Sequence, residues 1–341
     1  MNQAIAVPTA DGSAAGLLDW TSLESLLARY GWQGAAVTHV GTSENVTFRV
    51  VWGRAASIVR IYRMGHRTRT AIEAELAWME ALRRDAGIST PEVTPAPDGE
   101  RIHTVQTSHG PTYSVAFRLL PGQEPDESRL TDWFFQLGVL CARMHNHADD
   151  WQPPVPLPLD RPRLDWETLL GARGIWGPWS RAPGLDPRAV PLLERVSQQI
   201  RSRLERYGTG ARVYGLIHGD LRLQNLLVEG GAVHVIDFDD CCFCWRLYDL
   251  ATALSLIEDL PIAPTLLDRW LEGYRNRRPL ERADLEIIAD LIVMRRLQVL
   301  GWLGSRSQSE LAQQVAPSYV PAAVAAAEAY LSGTPRLRWG L

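Results

Sequence analysis

Two short stretches hold the residues whose types and spacing can do chemistry. "HGDLRLQN" (218–225) follows the apolar run "YGLI", and Asp237, in "VHVIDFDD", lies twelve residues beyond Asn225. A strand ending in a tight turn lifts Asp220 and Asn225 to its tip, and a second strand also ends in carboxylates. Asp, Asn and Asp delivered to one place suit a divalent cation and a reaction at phosphate. Phosphoryl transfer asks little covalent chemistry of a protein. It needs metal ligands, a base beside the attacking hydroxyl, and cations on the phosphates. Asp220 is the candidate base, and Asn225 and Asp237 offer oxygen ligands for Mg²⁺, a hard cation. His218 reads as a residue that holds the turn by hydrogen bonds. Asp239 and Asp240 are either supporting or substrate-facing carboxylates, or plain solvated charge.

The elements around these residues are those of an ordinary globular chain. Its 341 residues suffice for two domains or one large one. A hydrophobic content of 46% is ordinary for a soluble globular chain, and a net charge of −4 argues against a nucleic-acid partner, which favours a basic surface. The first residues, "MNQAIAVPTADGSAAG", lack the basic segment and apolar core of a signal peptide. No uncharged apolar run approaches the roughly 18–20 residues that cross a bilayer. The expectation is a cytoplasmic protein with no nucleic-acid and no membrane partner. All 35 residues counted as Lys+Arg are Arg, so any task that calls for a lysine falls to a guanidinium. Cys141 stands alone; Cys241, Cys242 and Cys244 cluster without a second ligand pair at zinc spacing, and read as small buried residues.

Along the chain, "LLDWTSLESLLARYG" (17–31) is a short amphipathic helix closed by Gly31. Strand patterns follow at 46–52, 57–63, 102–107 and 113–120, with a helix from 71 between the pairs. On that helix Ile72, Leu76, Met79 and Leu82 form one apolar face. At about 100° per residue Glu75 falls on it, whereas Glu73 and Glu80 point away, so Glu75 needs a partner. Residues 121–128 form a hinge, and the remainder is mostly helical, with Thr131 the expected N-cap of the first long helix. Residues 152–163 are a proline-rich surface crossing. Trp166, Trp176, Trp179 and Trp245 either wall a compact pocket or belong to the core.

The pairing "LIHGDL…NLL…VIDFDD…LYDLA" resembles the aminoglycoside phosphotransferase family of the protein-kinase-like superfamily, over roughly residues 30–330. Choline kinases, type II homoserine kinases and certain bacterial stress-response Ser/Thr kinases belong to that group. The resemblance implies an α+β, bilobal protein-kinase-like fold, with a small β-rich N-lobe (1–120) and a larger, mostly helical C-lobe (121–341). It implies ATP and Mg²⁺ in the cleft. Arg60 then takes the basic strand position that grips the nucleotide phosphates and pairs with Glu75. The turn in "VGTSENVTF" (40–48) covers the phosphates through Gly41, Ser43 and Asn45, and adenine lies against the hinge near Phe117 and Leu119. Arg222 takes the place of a kinase lysine that reaches the transferring phosphate, and Asp249 anchors the catalytic loop. The sequence departs from the family at Arg222–Gln224, where His-Pro-Gly is commoner, and at Cys242 and Cys244, where relatives often carry glycine.

The expected reaction is transfer of the γ-phosphoryl group of ATP to a small-molecule hydroxyl of the aminoglycoside, amino-alcohol or homoserine type. A protein Ser/Thr acceptor is the second reading, and a catalytically silent nucleotide-binding module the third. The Asp220, Asn225 and Asp237 set speaks against the last. A metal-dependent phosphatase is disfavoured, since no carboxylate nucleophile motif stands near the N-terminus.

Overall fold

The structure is a computed structural model that describes residues 5–8, 14–42 and 45–333. Strands β1 (Ile5–Pro8) and β2 (Ala14–Leu18) lead into helix α1 (Trp20–Arg29), whose N-cap Asp19 accepts the Ser22 N–H at 2.7 Å. Strands β3 (Ala36–Thr42), β4 (Val46–Trp52) and β5 (Ala55–Ile61) form a meander. Helix α2 (Arg69–Ala86) crosses, and β6 (His103–Thr107) and β7 (Gly110–Arg118) complete a five-stranded antiparallel sheet of order β3-β4-β5-β7-β6.

The two-residue period of β5 decides which face Arg60 takes. Val59 and Ile61 enter a core with Val46, Phe48 and Leu23, Leu26 and Leu27 of α1, so Arg60 points to the opposite face. On that side lies α2, started by Thr68, whose hydroxyl accepts the Ala71 N–H, and stopped by Gly87 in the left-handed conformation. Ile72, Leu76, Met79 and Leu82 are buried, and Glu75 is buried with them. This α2 face belongs to the large C-terminal core: Trp78 packs edge-on against Phe238 at 5.6 Å between ring centroids. Trp78→Ala would cost about 3–5 kcal/mol.

That larger part begins with α3 (Leu130–Asp150), a short α4 (Trp166–Leu169) and α5 (Val190–Tyr207). Strand β8 (Tyr214–Ile217) comes next, then the hairpin β9 (Leu226–Glu229) and β10 (Ala232–Val235), and β11 (Cys242–Trp245), which pairs antiparallel with β8. Helices α6 (Tyr248–Ala253), α7 (Ala263–Arg275), α8 (Arg282–Glu286), α9 (Ile288–Ser305) and α10 (Glu310–Leu331) follow. Buried residues occur around most of α9, so it runs through the core and not over it.

Residues 36–42 form an edge strand that the sequence did not suggest: alternation in "AVTHVGT" is masked because the strand is mostly exposed. One local expectation is corrected. Thr131 is not an N-cap. The helix begins at Leu130, and Asp126 takes the capping role one turn earlier, accepting the Ser128 N–H at 2.9 Å.

Candidate active site

Strand β8 delivers the chain to His218-Gly219-Asp220. Gly219 has φ +83°, and a Cβ there would meet the Asp240 carbonyl oxygen at 2.4 Å, so the turn accepts only glycine. The turn hangs on Asp249 at the second position of α6. Its fully buried carboxylate accepts the N–H of His218 at 3.2 Å and of Gly219 at 2.8 Å. His145 Nε2 lies 3.1 Å from the same carboxylate. Burial pulls the His145 ring below its ordinary pKa, so the neutral ring donates from Nε2 to Asp249 and accepts the Tyr274 hydroxyl at Nδ1, 3.0 Å away. His218 is buried and donates from Nε2 to the Ile236 carbonyl at 3.0 Å, tying the two strand ends together.

Asp220 meets a guanidinium at each oxygen. Arg295 Nη2 donates to Oδ1 at 2.8 Å, and Arg222 Nε to Oδ2 at 3.2 Å. Asn225 spends its amide N–H on the Asp220 carbonyl at 2.7 Å and, at 3.3 Å, on Oδ2. Sequence reasoning passed over Arg295, although "VMRRLQV" carried a signal: an arginine pair in an apolar, buried helix must find partners. Arg296 pairs with Asp259 on another side of α9, and Arg295 turns to Asp220.

Asp237 follows β10 in the left-handed conformation, φ +66° and ψ +57°, an uncommon state for a residue other than glycine and one that clusters at functional sites. Its side chain is 51% exposed, and Arg60 bridges to it: Nη2 lies 3.1 Å from Asp237 Oδ1, and Nη1 lies 2.9 Å from Glu75 Oε1. Burial pushes the Glu75 carboxyl up and Arg60 pulls against it; the Tyr62 hydroxyl donates to Oε2 at 3.2 Å. Burial also opposes the Arg60 charge, but the surrounding carboxylates outweigh it and hold the guanidinium protonated. Thus the structure brings Asp220, Arg222, Asn225, Asp237, Arg60 and Glu75 to one cleft.

Other expected residues are placed differently. Ser43 lies outside the described residues. Asn45 is buried, with its amide donating to Asp239 Oδ2 at 3.0 Å and its Oδ1 accepting the Arg63 N–H at 2.9 Å, so its side chain braces the hairpin and is no open donor. The Phe117 ring is buried beneath Arg60, 5.3 Å from Cζ, and supports that cation; Leu119, half-buried, lies just before the 121–128 segment, which docks on β9 through Gln123 and Val228. Asp239 is buried rather than solvated: Arg67 Nε donates to it at 3.2 Å, and burial is outweighed by Arg67 and Arg60, which hold its carboxyl far below the usual range. Among the described residues one His/Asp cluster could hold a metal, His66 with Asp239 and Asp240, and Arg67 already neutralises its carboxylates. All four cysteines are buried free thiols, and burial pushes Cys241 up to about 12, so none is a thiolate ligand.

A cavity of about 210 Å³ opens at Asp220. Arg295, Gln298, Val299 and Trp302, at helical spacing on α9, make one wall, and Ile175 and Trp176 face it. Trp176 lies between the guanidinium groups of Arg63 and Arg306, with Cζ 5.0 and 5.4 Å from the ring. The tryptophans therefore divide. Trp176 walls the cavity, joined by Trp302, while Trp179 and Trp245 are core and Trp166 anchors to the Ser197 carbonyl. Among the described residues no helix is long and apolar enough to cross a membrane.

A sequence profile described as "Phosphotransferase enzyme family" matches residues 37–284. The structure of a microcompartment-associated aminopropanol kinase is similar at 39% identity and TM-score 0.85, covering 94% of this chain and 100% of that one. The amicoumacin kinase of Bacillus subtilis (strain 168) is 25% identical over 295 residues, 82% of this chain and 83% of its own length. The amicoumacin kinase hAmiN, solved with AMP-PNP, Ca²⁺ and amicoumacin, shares the fold at 20% identity and TM-score 0.75, covering 94% and 95% of the two chains. The chain belongs to the phosphotransferase enzyme family, with the bilobal protein-kinase-like fold, and is a kinase of the kind that acts on small molecules.

Proposed function

We propose that this protein transfers the γ-phosphoryl group of ATP to the hydroxyl of a small amino alcohol, in a Mg²⁺-dependent reaction in the cytoplasm. The observation that carries the reading is the cavity that places Asp220 at the foot of the α9 wall. The likeness to an aminopropanol kinase along nearly the whole chain supports the acceptor class.

The nucleotide lies between the N-lobe (1–120) and the C-lobe (121–341), with Arg60 on its phosphates, held by Glu75, and its base near Leu119. Asn225 and Asp237 fit a hard cation. Asn225 turns its N–H toward Asp220, leaving an amide oxygen that no described residue donates to, and the Asp237 carboxylate stands half-exposed at the cleft. Bound there, Mg²⁺ neutralises phosphate charge that the protein's own cations leave uncovered. Asp220 accepts the proton of the attacking hydroxyl, and Arg222 steadies charge spreading over the equatorial oxygens of the transferred group.

The test is ADP formation from ATP and Mg²⁺ with aminopropanol, homoserine, an aminoglycoside and a model Ser/Thr protein as separate acceptors. Amino alcohols are expected to give the highest kcat/KM. Asp220→Asn should abolish transfer with ATP binding retained, and Asp237→Ala should weaken both. Turnover of the model protein alone would replace this reading with the protein-kinase one.

A further inference from the structure

The acceptor wall and the base are joined by one residue. Arg295 lies on the cavity face of α9, yet its guanidinium is committed at every nitrogen. Nε donates to Ser255 Oγ at 2.9 Å, Nη1 to Gln298 Oε1 at 2.9 Å and the Tyr248 hydroxyl at 3.3 Å, and Nη2 to Asp220 Oδ1 at 2.8 Å. Tyr248 is itself hydrogen-bonded to Gln298 and lies under the Arg295 charge, 5.8 Å from Cζ. A planar fork fixed by three partners, on α6, on the segment after it and on α9 itself, is a rigid mount for the fourth.

The two oxygens of Asp220 are held unequally. Oδ1 receives the short bond from Arg295. Oδ2 receives only contacts at or beyond the long end of the hydrogen-bond range, 3.2 Å from Arg222 and 3.3 Å from Asn225. Arg222 is also the more exposed of the two arginines, 29% against 15%, and sits on the loop itself, without a comparable set of partners. An incoming hydroxyl can therefore displace a contact at Oδ2 far more readily than at Oδ1.

We propose that Arg295 is the positioning residue of phosphoryl transfer. It clamps Asp220 Oδ1 so that Oδ2 faces the acceptor hydroxyl, and it thereby couples the acceptor-reading face of α9 to the base. In this role Arg295 leaves the nucleotide alone. Its four partners belong to the loop, α6, the segment after it and α9, and none belongs to the sheet or α2. The inference rests on the assignment of Asp220 as base in the proposed function, and not on which alcohol is the acceptor.

The experiment compares wild type with R295M, which keeps length without hydrogen bonds, and R295K, which can keep the bond to Asp220 but not the fork. Each is assayed for ADP formation with aminopropanol and, with no acceptor, for slow hydrolysis of ATP by water; crystal structures of wild type and R295M with ADP are determined alongside. R295M should lower kcat by on the order of 10- to 100-fold in both reactions, with KM for ATP within about threefold of wild type, and R295K should recover part of the loss. In the crystal, the Asp220 carboxylate of R295M should rotate while residues 218–225 keep their backbone. An unchanged kcat with R295M, an equal fall in kcat and ATP binding, or an unmoved Asp220 carboxylate overturns the proposal. If wild type hydrolyses ATP but ignores aminopropanol, the acceptor class is wrong while the water reaction and the crystal structures still judge Arg295.

Discussion

Removing the Asp249 carboxylate separates the support of the catalytic loop from the chemistry it positions. The fully buried side chain accepts two backbone N–H groups and the His145 ring. Hydrogen bonds to a charged group contribute about 1.5–3 kcal/mol each, but such contributions do not add in full within one network, so the three together come to about 4 kcal/mol. Asp249→Ala should therefore cost about 4 kcal/mol. With an unfolding entropy of about 2.1 cal/mol/K per residue, a chain of 341 residues loses about 0.7 kcal/mol per degree, so the melting temperature should fall by about 6 °C. Asp249→Asn keeps one oxygen for the Gly219 N–H but turns a donor toward His218 N–H or His145, and should cost about half as much. Activity should respond out of proportion, because a misplacement of about 1 Å in a reacting group can cost about 100-fold. Calorimetry and ADP formation on the same preparations decide it. An Asp249→Ala protein melting within about 1 °C of wild type, or an Asp249→Asn protein with wild-type kcat, refutes the anchoring argument.

Arg60→Lys replaces a fork that reaches Glu75 and Asp237 together with a single nitrogen, and should raise KM for ATP by on the order of tenfold. The chain has no lysine, so the variant carries a unique ε-amine; ATP should slow its acylation, and unaltered labelling would remove residue 60 from the phosphates. Burial, with Arg67 and Arg63 alongside, pulls the His66 ring down to about 3. Its folded pKa lies below the unfolded one, so its contribution is complete above about pH 6.5 and is lost as pH falls toward 3, amounting to about 2 kcal/mol at pH 5. His66→Asn should lose less stability between pH 7 and pH 5 than wild type, and parallel stability curves would contradict this. Trp176→Ala removes a cavity wall worth about 1.5 kcal/mol, so acceptor KM should rise on the order of tenfold with KM for ATP within about twofold; equal changes in both would return Trp176 to the core.

How far the sequence can be read depends on whether the deciding contact is local. Glu75 was legible because helix angle alone places a carboxylate on an apolar face; its partner Arg60 came from the family resemblance, and the structure joins the two. The turn 218–225 was legible because Gly219 and the spacing of Asp220 and Asn225 are properties of one short segment. The edge strand β3 was not, since an exposed strand shows no apolar alternation. Asn45 and Asp239 were left open for a different reason. They bond each other across 194 residues, and nothing in either neighbourhood tells a phosphate donor from a brace, or a solvated acid from a buried one. The tryptophans divided for the same reason: one of four faces the cavity, and only the packing of the 171–185 segment on α9 chooses which.

The absence of lysine shapes the whole site. Three buried cations near the cleft each serve more than one oxygen: Arg60 joins Glu75 to Asp237, Arg67 joins Asp239 to Asp240, and Arg161 ties the Cys241, Ala71 and Asp239 carbonyls together. A lysine ammonium can make as many hydrogen bonds, but from one atom on a flexible stem, whereas a guanidinium fixes the angle between its partners. The forks therefore do two tasks, supplying charge and holding the carboxylates on both sides of the cleft in register before any substrate arrives. Desolvation opposes each buried guanidinium, and its neighbours offset that cost, carboxylates above all at Arg60 and Arg67 and Tyr248 with Asp220 at Arg295, which is why all three stay protonated despite their burial. Their charge is constant across any pH the protein survives. The pH response of the enzyme consequently rests on its carboxylates and histidines, and Arg295, whose charge does not change, can fix one oxygen of Asp220 without itself titrating.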